Sequence, residues 1–383
     1  MIDHNHSLSI IIAGDTAPIH SNLDLFSAGS DGWMDSFIRA RIQSADAFIV
    51  NLECPLSDHS TPRTKAGWVL RAPASCAAGL AAAGVTAVNL ANNHAMDQSS
   101  RGLFDTLECL QSVGIGAFGA GESRDLAGQP FQLRMRGLSV AFLGMTTGEA
   151  GTAGTNRPGV MPMDIEHFLP AFQSAREDSD HVVILLHAGL ERYPYPSPGL
   201  QSFCRFLIDQ GASAVLCQHS HCIGSEETWN NGYILYGQGN FVFDWGSALD
   251  GCWNSGLMTH LRLTRGEKTN VMHIPTEQTF PGVRVMPEEA ARHVLITLAD
   301  RSRRISDSGF IEEQWMRYVA ACSEDYRYVL TSRFRLIRKL IRRLGWSRRV
   351  LGSDRESWLR AIVMNRDHRE IIQALLDREE KTV

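Results

Sequence analysis

The sequence has little that would carry the chain into a membrane or out of the cell. Its start, "MIDHNHSLSIIIAGD", lacks a basic n-region, and the apolar run there is far shorter than a signal-peptide core or the roughly 20 residues of a membrane span. A cysteine framework is also missing. The eight cysteines have no regular spacing, and the closest set, Cys217 and Cys222, has no partner pair of the zinc-finger kind. A cytoplasmic protein with reduced thiols is the expectation. No Walker A sequence is present, which argues against an ATP-using ligase, and no repeat marks a solenoid. "GIGAFG" places Gly114, Gly116 and Gly119 in the spacing of a dinucleotide fingerprint, but it follows a helix-like stretch rather than a strand, so it reads as a helix stop and turn. Positive charge is scarce over most of the chain. The 37 Lys and Arg stand against 42 Asp and Glu, and nine of the basic residues fall between Tyr326 and Val350, where there is no acid. Nucleic acid is therefore not an expected partner of the main domain.

What is present is an alternation. "LSIIIAG", "DAFIVNLE", "VTAVNLA", "SVAFLGM", "HVVILLHAG", "SAVLCQHSH" and "GYILYGQGNFVFD" are rich in Val, Ile and Leu and bounded by Gly, Asp, Asn or Pro, as buried strands are. Helix-like segments lie between them, several closing on glycine. That order argues a layered α/β fold. After about Pro287 the chain turns charged, amphipathic and helix-like, so the expected division is an α/β domain over 1–284 and a helical extension over 285–383.

The chemistry-bearing residues gather at strand ends. Asp15 follows "IIIAG", Glu53 follows "FIVNL", Asn93 and His94 follow "AVNLA", His187 follows "VVILL", and His219 and His221 follow "SAVLC". In α/β folds the carboxyl ends of strands are where ligand sites assemble. Asparagine is a poor strand former whose amide needs partners when buried, so "NNH" at the end of an apolar run is a local conflict of the kind that marks function. Imidazole, carboxylate and amide oxygen without thiolate suit Zn, Mn or Fe, and this many donors can hold one or two ions. Any one of these histidines alone reads as well as a satisfied core or surface group; the set does not.

"AGD", "NLECPL", "NLANNHAMD", "LLHAGLE", "QHSHCIG" and "YGQGNFVFD", in this order, resemble the CapA/PgsA family of bacterial capsule and poly-γ-glutamate biosynthesis proteins, within the calcineurin-like metallophosphoesterase superfamily. The resemblance covers about Ile10 to Pro281. It implies a metallophosphoesterase-like α/β/β/α sandwich, a divalent metal centre and a hydrolytic, phosphoesterase-type activity in surface-polymer synthesis. It makes Asp15 the first metal carboxylate, Glu53 the acid that bridges or flanks the ions, Asn93 the amide ligand, and His187, His219 and His221 the imidazole ligands, with His94 a general acid facing substrate. Against the wider superfamily, Ala17 stands where a histidine is usual and Glu53 where a "GD" aspartate is, both features of the capsule family; in addition Gln218 replaces the customary glycine before "HSH", and "HAG" lacks the usual aromatic residue after His187.

Other residues read more weakly. Asn51 either orients Glu53 or Asp15 or caps a turn. Asp97 either supports His94 or is a helix N-terminal aspartate. Lys65 and Arg71, in "TKAGWVLRAP", are candidates to hold an anionic substrate group, since Arg and Lys favour phosphate and carboxylate. Asn240 matches the family motif without an independent role. Toward the C-terminus, Leu330, Phe334, Ile337, Ile341 and Leu344 recur at helical spacing opposite Arg335, Arg338, Lys339, Arg342 and Arg343. This stripe either packs on the α/β part or lies on an anionic inner-membrane surface with Trp346 at the interface. The expected partners are an anionic small-molecule or polymer substrate and a surface-polymer synthesis or export complex. The alternatives to the phosphoesterase are a noncatalytic assembly or transport factor and a metal-dependent amide hydrolase of γ-glutamyl links.

Overall fold

The computed structural model describes residues 7–65, 67–147, 151–245, 251–330 and 364–380. The basic stripe beyond Leu330 and Trp346 lie outside the described residues. In chain order the strands are β1 (Ser7–Ala17), β2 (Ala47–Leu52), β3 (Ala87–Asn89), β4 (Gly116–Phe118), β5 (Ala120–Gly121), β6 (Phe131–Met135), β7 (Leu138–Thr146) and β8 (Gly159–Val160). They continue as β9 (His181–His187), β10 (Ala214–Gln218), β11 (Glu226–Trp229), β12 (Gly232–Leu235), β13 (Asn240–Phe243), β14 (Ser255–Thr264), β15 (Asn270–Gln278) and β16 (Val283–Val285). The helices are α1 (Leu23–Ser27), α2 (Ser36–Gln43), α3 (Cys76–Ala82), α4 (Ser99–Ser112), α5 (Arg124–Ala127), α6 (Ile165–Glu177), α7 (Pro198–Asp209), α8 (Glu288–Arg304), α9 (Ser308–Leu330) and α10 (Arg366–Glu380).

Two mixed sheets carry the fold. One has eight strands in the order β16-β15-β14-β1-β2-β3-β4, with β13 also pairing β1; the other has six, in the order β11-β12-β10-β9-β7-β6. The side chains show why they stack. Along β1, Leu8, Ile10 and Ile12 enter the cluster that also holds Val140, Phe142, Val183, Leu185 and Leu216 of the second sheet, while Ile11 and Ala13 face the cluster of α2, α3 and α4. Along β9, Val182, Ile184 and Leu186 instead join Phe168, Phe172, Leu200 and Leu207 of α6 and α7. Both faces of each sheet are thus covered, which is why these strands read as continuous apolar runs rather than alternations. The result is a layered α/β fold of four layers, helix, sheet, sheet and helix, followed by further helices.

Two elements differ from the sequence reading. "GYILYGQGNFVFD" is two strands in different sheets: β12 lies beside β10, the chain turns through Gly239 at φ +72°, and β13 joins β1 in the first sheet. Gln238, between them, donates to Ile12 O at 2.7 Å and Leu257 O at 3.1 Å and accepts from Gln218 Nε2 at 3.1 Å, tying the sheets together. "GIGAFG" does begin with a helix stop at Gly114, φ +77°, but continues as β4, which pairs in parallel with β3. The pairing is decided by the neighbouring strand, which a local pattern does not contain. Beyond β16, α8 and α9 begin the helical part, and α10 packs back on the second sheet's helix layer. Ile371 and Leu375 pack with Leu190, Tyr193, Trp315 and Val319. No helix among the described residues is long and apolar enough to cross a membrane.

Candidate metal centre

The two sheets meet at their strand ends, and each supplies half of one polar cluster. From the first sheet come Asp15, on a β1 bulge, Glu53, one residue past β2, and Asn93 with His94 past β3. From the second come His187, the last residue of β9, and His219 and His221 past β10. The bulge is fixed by close approach: a Cβ on Gly14 would fall 2.0 Å from Gly239 O, so only glycine lets β1 and the β13 turn come this near. His219 and His221 have φ of +87° and +51°, a left-handed backbone that costs a branched or ring side chain energy and is retained where the surroundings enforce it.

The donor atoms form two groups that share one carboxylate. Glu53, His187 and His219 offer ligand atoms within 4.8 Å of one another, and so do Asp15, Glu53 and His221. His187 Nε2 lies 3.2 Å from Glu53 Oε1 and 3.0 Å from Asn93 Oδ1, which brings Asn93 into the first group. His221 Nδ1 is 3.2 Å from Asp15 Oδ2 and 2.8 Å from Asn240 Oδ1. Asn240 was without a role in the sequence; here it sits against His221 and donates to Trp253 O at 2.8 Å.

Electrostatics show what the cluster lacks. Burial, with the charge of Asp15 added, pushes the Glu53 carboxyl up to about 8. Burial would also raise Asp15, but the hydrogen bond and charge of His221, helped by His187 and Asn51, bring it down to about 2. Burial disfavours a charged His221, yet Glu53 and Asp15 overcome it and raise the ring to about 10. Among the described residues neither oxygen of Glu53 makes a hydrogen bond, although both are fully buried and the His187 ring stands 3.2 Å from Oε1. An unsatisfied buried carboxyl is costly unless something pairs with it. A divalent cation at the shared position would do so, and the oxygen and imidazole donors suit Mn, Zn or Fe. The residues present therefore fit a metal.

A network of amides holds these ligands. Asn51 Nδ2 lies 2.7 Å from Asp15 Oδ1 and 3.2 Å from His187 Nδ1, while its Oδ1 accepts from Asn89 at 3.1 Å and Asn92 at 3.2 Å. Asn51 is thus a hub reaching Asp15 and His187. Asn92 accepts from the backbone of His94 and Ala95 and donates to Leu52 O, locking the turn that presents Asn93 and His94. Sequence reasoning missed Asn89 and the role of Asn92. Its only signal was the excess of asparagine at two adjacent strand ends.

His94 is paired. Its Nδ1 is 2.6 Å from Asp97 Oδ2, and Asp97 also receives Lys65 Nζ at 2.7 Å and Leu70 N at 2.7 Å. Burial works to raise Asp97, but the charges and hydrogen bonds of His94 and Lys65 hold it below the usual carboxylate range. An ionised Asp97 keeps the proton on His94 Nδ1 and leaves Nε2 as the atom that can give or take one. The Lys65 ammonium, buried with this pair, also donates to Asn93 O at 2.9 Å. Arg71 is exposed and donates to Ser57 O at 3.2 Å.

With the geometry in place, the similarities can be set beside it. Residues 9–245 match the family described as bacterial capsule synthesis protein PGA_cap. The chain belongs to the PGA_cap family. A PGA_cap relative, the PGA biosynthesis protein CapA of Bacillus subtilis (strain 168), is 36% identical over 164 residues, 42% of this chain and 43% of that protein. A probable polyglutamine synthesis accessory protein of Mycobacterium tuberculosis is 30% identical over 169 residues, covering 41% of this chain and 44% of its own length. The chain thus matches less than half the length of these relatives. Among solved structures, the NAD nucleotidase NadN of Haemophilus influenzae overlaps 83% of this chain and 60% of its own at 11% identity, with a TM-score of 0.41.

Proposed function

We propose that this PGA_cap protein is a metal-dependent hydrolase of surface-polymer synthesis, and that the bond it cleaves is a phosphoester. One observation carries the reading: two ligand groups share the buried Glu53, with the His94–Asp97 pair beside them. Asp15, Glu53, Asn93, His187, His219 and His221 would hold one or two divalent ions, which supply an activated water and polarise the ester oxygens when bound. Asn51 orients Asp15 and His187. Asp97 fixes the tautomer of His94, and His94 Nε2 delivers its proton to the departing oxygen. Lys65 keeps Asp97 ionised rather than binding substrate itself.

The test is metal analysis of the purified protein by mass spectrometry with phosphodiester and phosphomonoester assays of wild type, His94→Ala and His219→Ala. Wild type should hold one to two transition metals, His219→Ala should lose metal, and His94→Ala should keep metal and lose turnover. A wild type that stays metal-free and inactive after reconstitution with Mn and Zn overturns the reading. Two observations favour a second reading, a noncatalytic assembly factor: Ala17 in place of an imidazole, and a relative named as an accessory protein. A panel of γ-glutamyl peptides run beside the phosphoesters separates an amide hydrolase from a phosphoesterase.

A further inference from the structure

The loop from β9 to α7 leaves the metal centre at His187 and carries none of the candidate ligands, yet it is held at both ends from far along the chain. The holder is α10, which lies outside the residues that match the family. Its first turn is capped by Asn365, whose Oδ1 accepts from Asp367 N at 2.8 Å. Asp367 and Glu370 are three residues apart, hence on one face of the helix, and both bond to the loop. Asp367 Oδ2 accepts from Gly189 N at 3.0 Å, and Glu370 accepts from Ser197 Oγ at 2.6 Å and Gly199 N at 2.8 Å. Both ends are shaped for this. Asp367 is 2% exposed, and a Cβ on Gly199 would fall 2.6 Å from Glu370 Oε2, so a side chain there would displace the carboxylate. Between the two ends, Leu190 and Tyr193 are buried against Ile371, Leu375, Trp315 and Val319.

On its other side the loop rests on the turn that carries His219 and His221. Ala188 N–H donates to Gln218 O at 3.2 Å, and Arg192 N–H donates to Ser220 O at 2.7 Å. Gly189, at φ +113°, lies against the same turn, since a Cβ on it would fall 3.9 Å from Ser220 Cβ. Gln218 and Ser220 flank His219, and Ser220 separates it from His221. The left-handed backbone of both histidines persists only where neighbours enforce it, and the loop supplies two of the hydrogen bonds that do. All three imidazole ligands therefore stand on backbone that the loop continues or touches.

We infer that α10 is a clamp on the metal centre: Asp367 and Glu370 are positioning residues that hold the 188–197 loop, and through it the backbone of His187, His219 and His221, in the ligand-holding conformation. Gly189 is buried, so loss of the Asp367 carboxyl strands its N–H and loosens the loop at the end nearest His187. Loss of the Glu370 carboxyl frees the other end, at the start of α7. Metal affinity is thereby set partly from the carboxy-terminal end of the described chain. That the loop is clamped stands on these hydrogen bonds alone; that a metal feels the clamp rests on the metal-dependent reading above.

The experiment has two arms on the full chain. One is hydrogen–deuterium exchange of the metal-free protein, read by mass spectrometry at residues 189–192 and 219–222; the other is Mn and Zn affinity by competition with a chelating dye. The proteins are wild type, Asp367→Ala, Asp367→Asn, Glu370→Ala and Leu80→Ala. The last empties core beneath α3, on the outer face of the first sheet, and controls for lost stability alone. Asp367→Ala and Glu370→Ala should speed exchange in both segments by roughly tenfold or more. Metal affinity should fall by about 10- to 100-fold in Asp367→Ala, and Asp367→Asn, which keeps an acceptor for Gly189, should recover most of it. Leu80→Ala should lower the thermal midpoint and move neither readout. Exchange in the two segments that stays at the wild-type rate in Asp367→Ala overturns the clamp, as does metal affinity that falls no further than in Leu80→Ala. If wild type binds no metal, the metal-dependent reading fails and the exchange arm alone decides the clamp. If wild type binds metal and Asp367→Ala binds it equally well, the clamp fails and that reading stands.

Discussion

Asn51 reaches two candidate ligands at once, and its own oxygen is held by Asn89 and Asn92. Asn51→Ala would leave buried polar groups of Asp15 and His187 without support. Metal affinity should fall by about 10- to 100-fold, as outer-shell losses do, measured by competition with a chelating dye. Asp97→Asn keeps the size of the side chain but reverses the tautomer preference of His94. Turnover should drop on the order of 100-fold or more with metal content unchanged, read by steady-state kinetics beside mass spectrometry. At this scale the sequence disclosed the atoms that make chemistry and concealed those that hold them. Asp15, Asn93 and the histidines stood at strand ends where their types were informative. Asn89 was not singled out, and Asn92 was noticed without its role, because each is placed by a partner that the backbone of another strand or loop delivers.

Among the elements, α10 is the one whose docking has a chemical signature. Asp367 Oδ2 accepts from Gly189 N at 3.0 Å, two residues past His187, and Glu370 accepts from Ser197 Oγ at 2.6 Å and Gly199 N at 2.8 Å at the start of α7. Burial pushes Asp367 up to about 7. Its folded value therefore lies above the ordinary aspartate value of roughly 4, so the folded chain binds the extra proton between them and stability falls as pH rises through that window. Asp367→Asn keeps an acceptor for Gly189 and removes the proton. The gap in urea midpoint between variant and wild type should widen in the variant's favour from pH 4 to pH 7; a constant gap would mean that Asp367 is not buried as a neutral acid. The elements themselves were legible where both faces were covered, as in "HVVILLH". They were not legible where a strand changes sheets, as at Gly239, because nothing local distinguishes one long apolar run from two short ones in different sheets.

For the molecule as a whole, the decisive fact is that neither sheet owns the centre. Glu53 lies on one side, and His187, His219 and His221 on the other. A metal held by both should raise global stability: a ligand present at 100 times its dissociation constant adds about 2.7 kcal/mol. Removing it with a chelator should lower the thermal midpoint of wild type and leave that of His219→Ala nearly unmoved, by differential scanning calorimetry. The sheets also meet where Gly144 of β7 faces Asn89, the last residue of β3. A Cβ at Gly144 would fall 2.1 Å from Asn89 Oδ1. Gly144→Ala should cost about 1–3 kcal/mol by urea unfolding and weaken metal binding through Asn89 and Asn51, a coupling that a purely local defect would not produce.

The position of β1 has a consequence for how the chain is made. Among the described strands β1 leaves the ribosome before the others, but its neighbours on one side are β13 and β14, ending at Thr264. At about 5–20 residues per second, "SIIIA" waits on the order of ten to fifty seconds with a hydrogen-bonding edge unfilled. An apolar edge strand left open for that long is a template for pairing with another chain. Until β13 and β14 arrive, the open edge of β1 is accordingly the surface of the growing chain most prone to pairing with another copy.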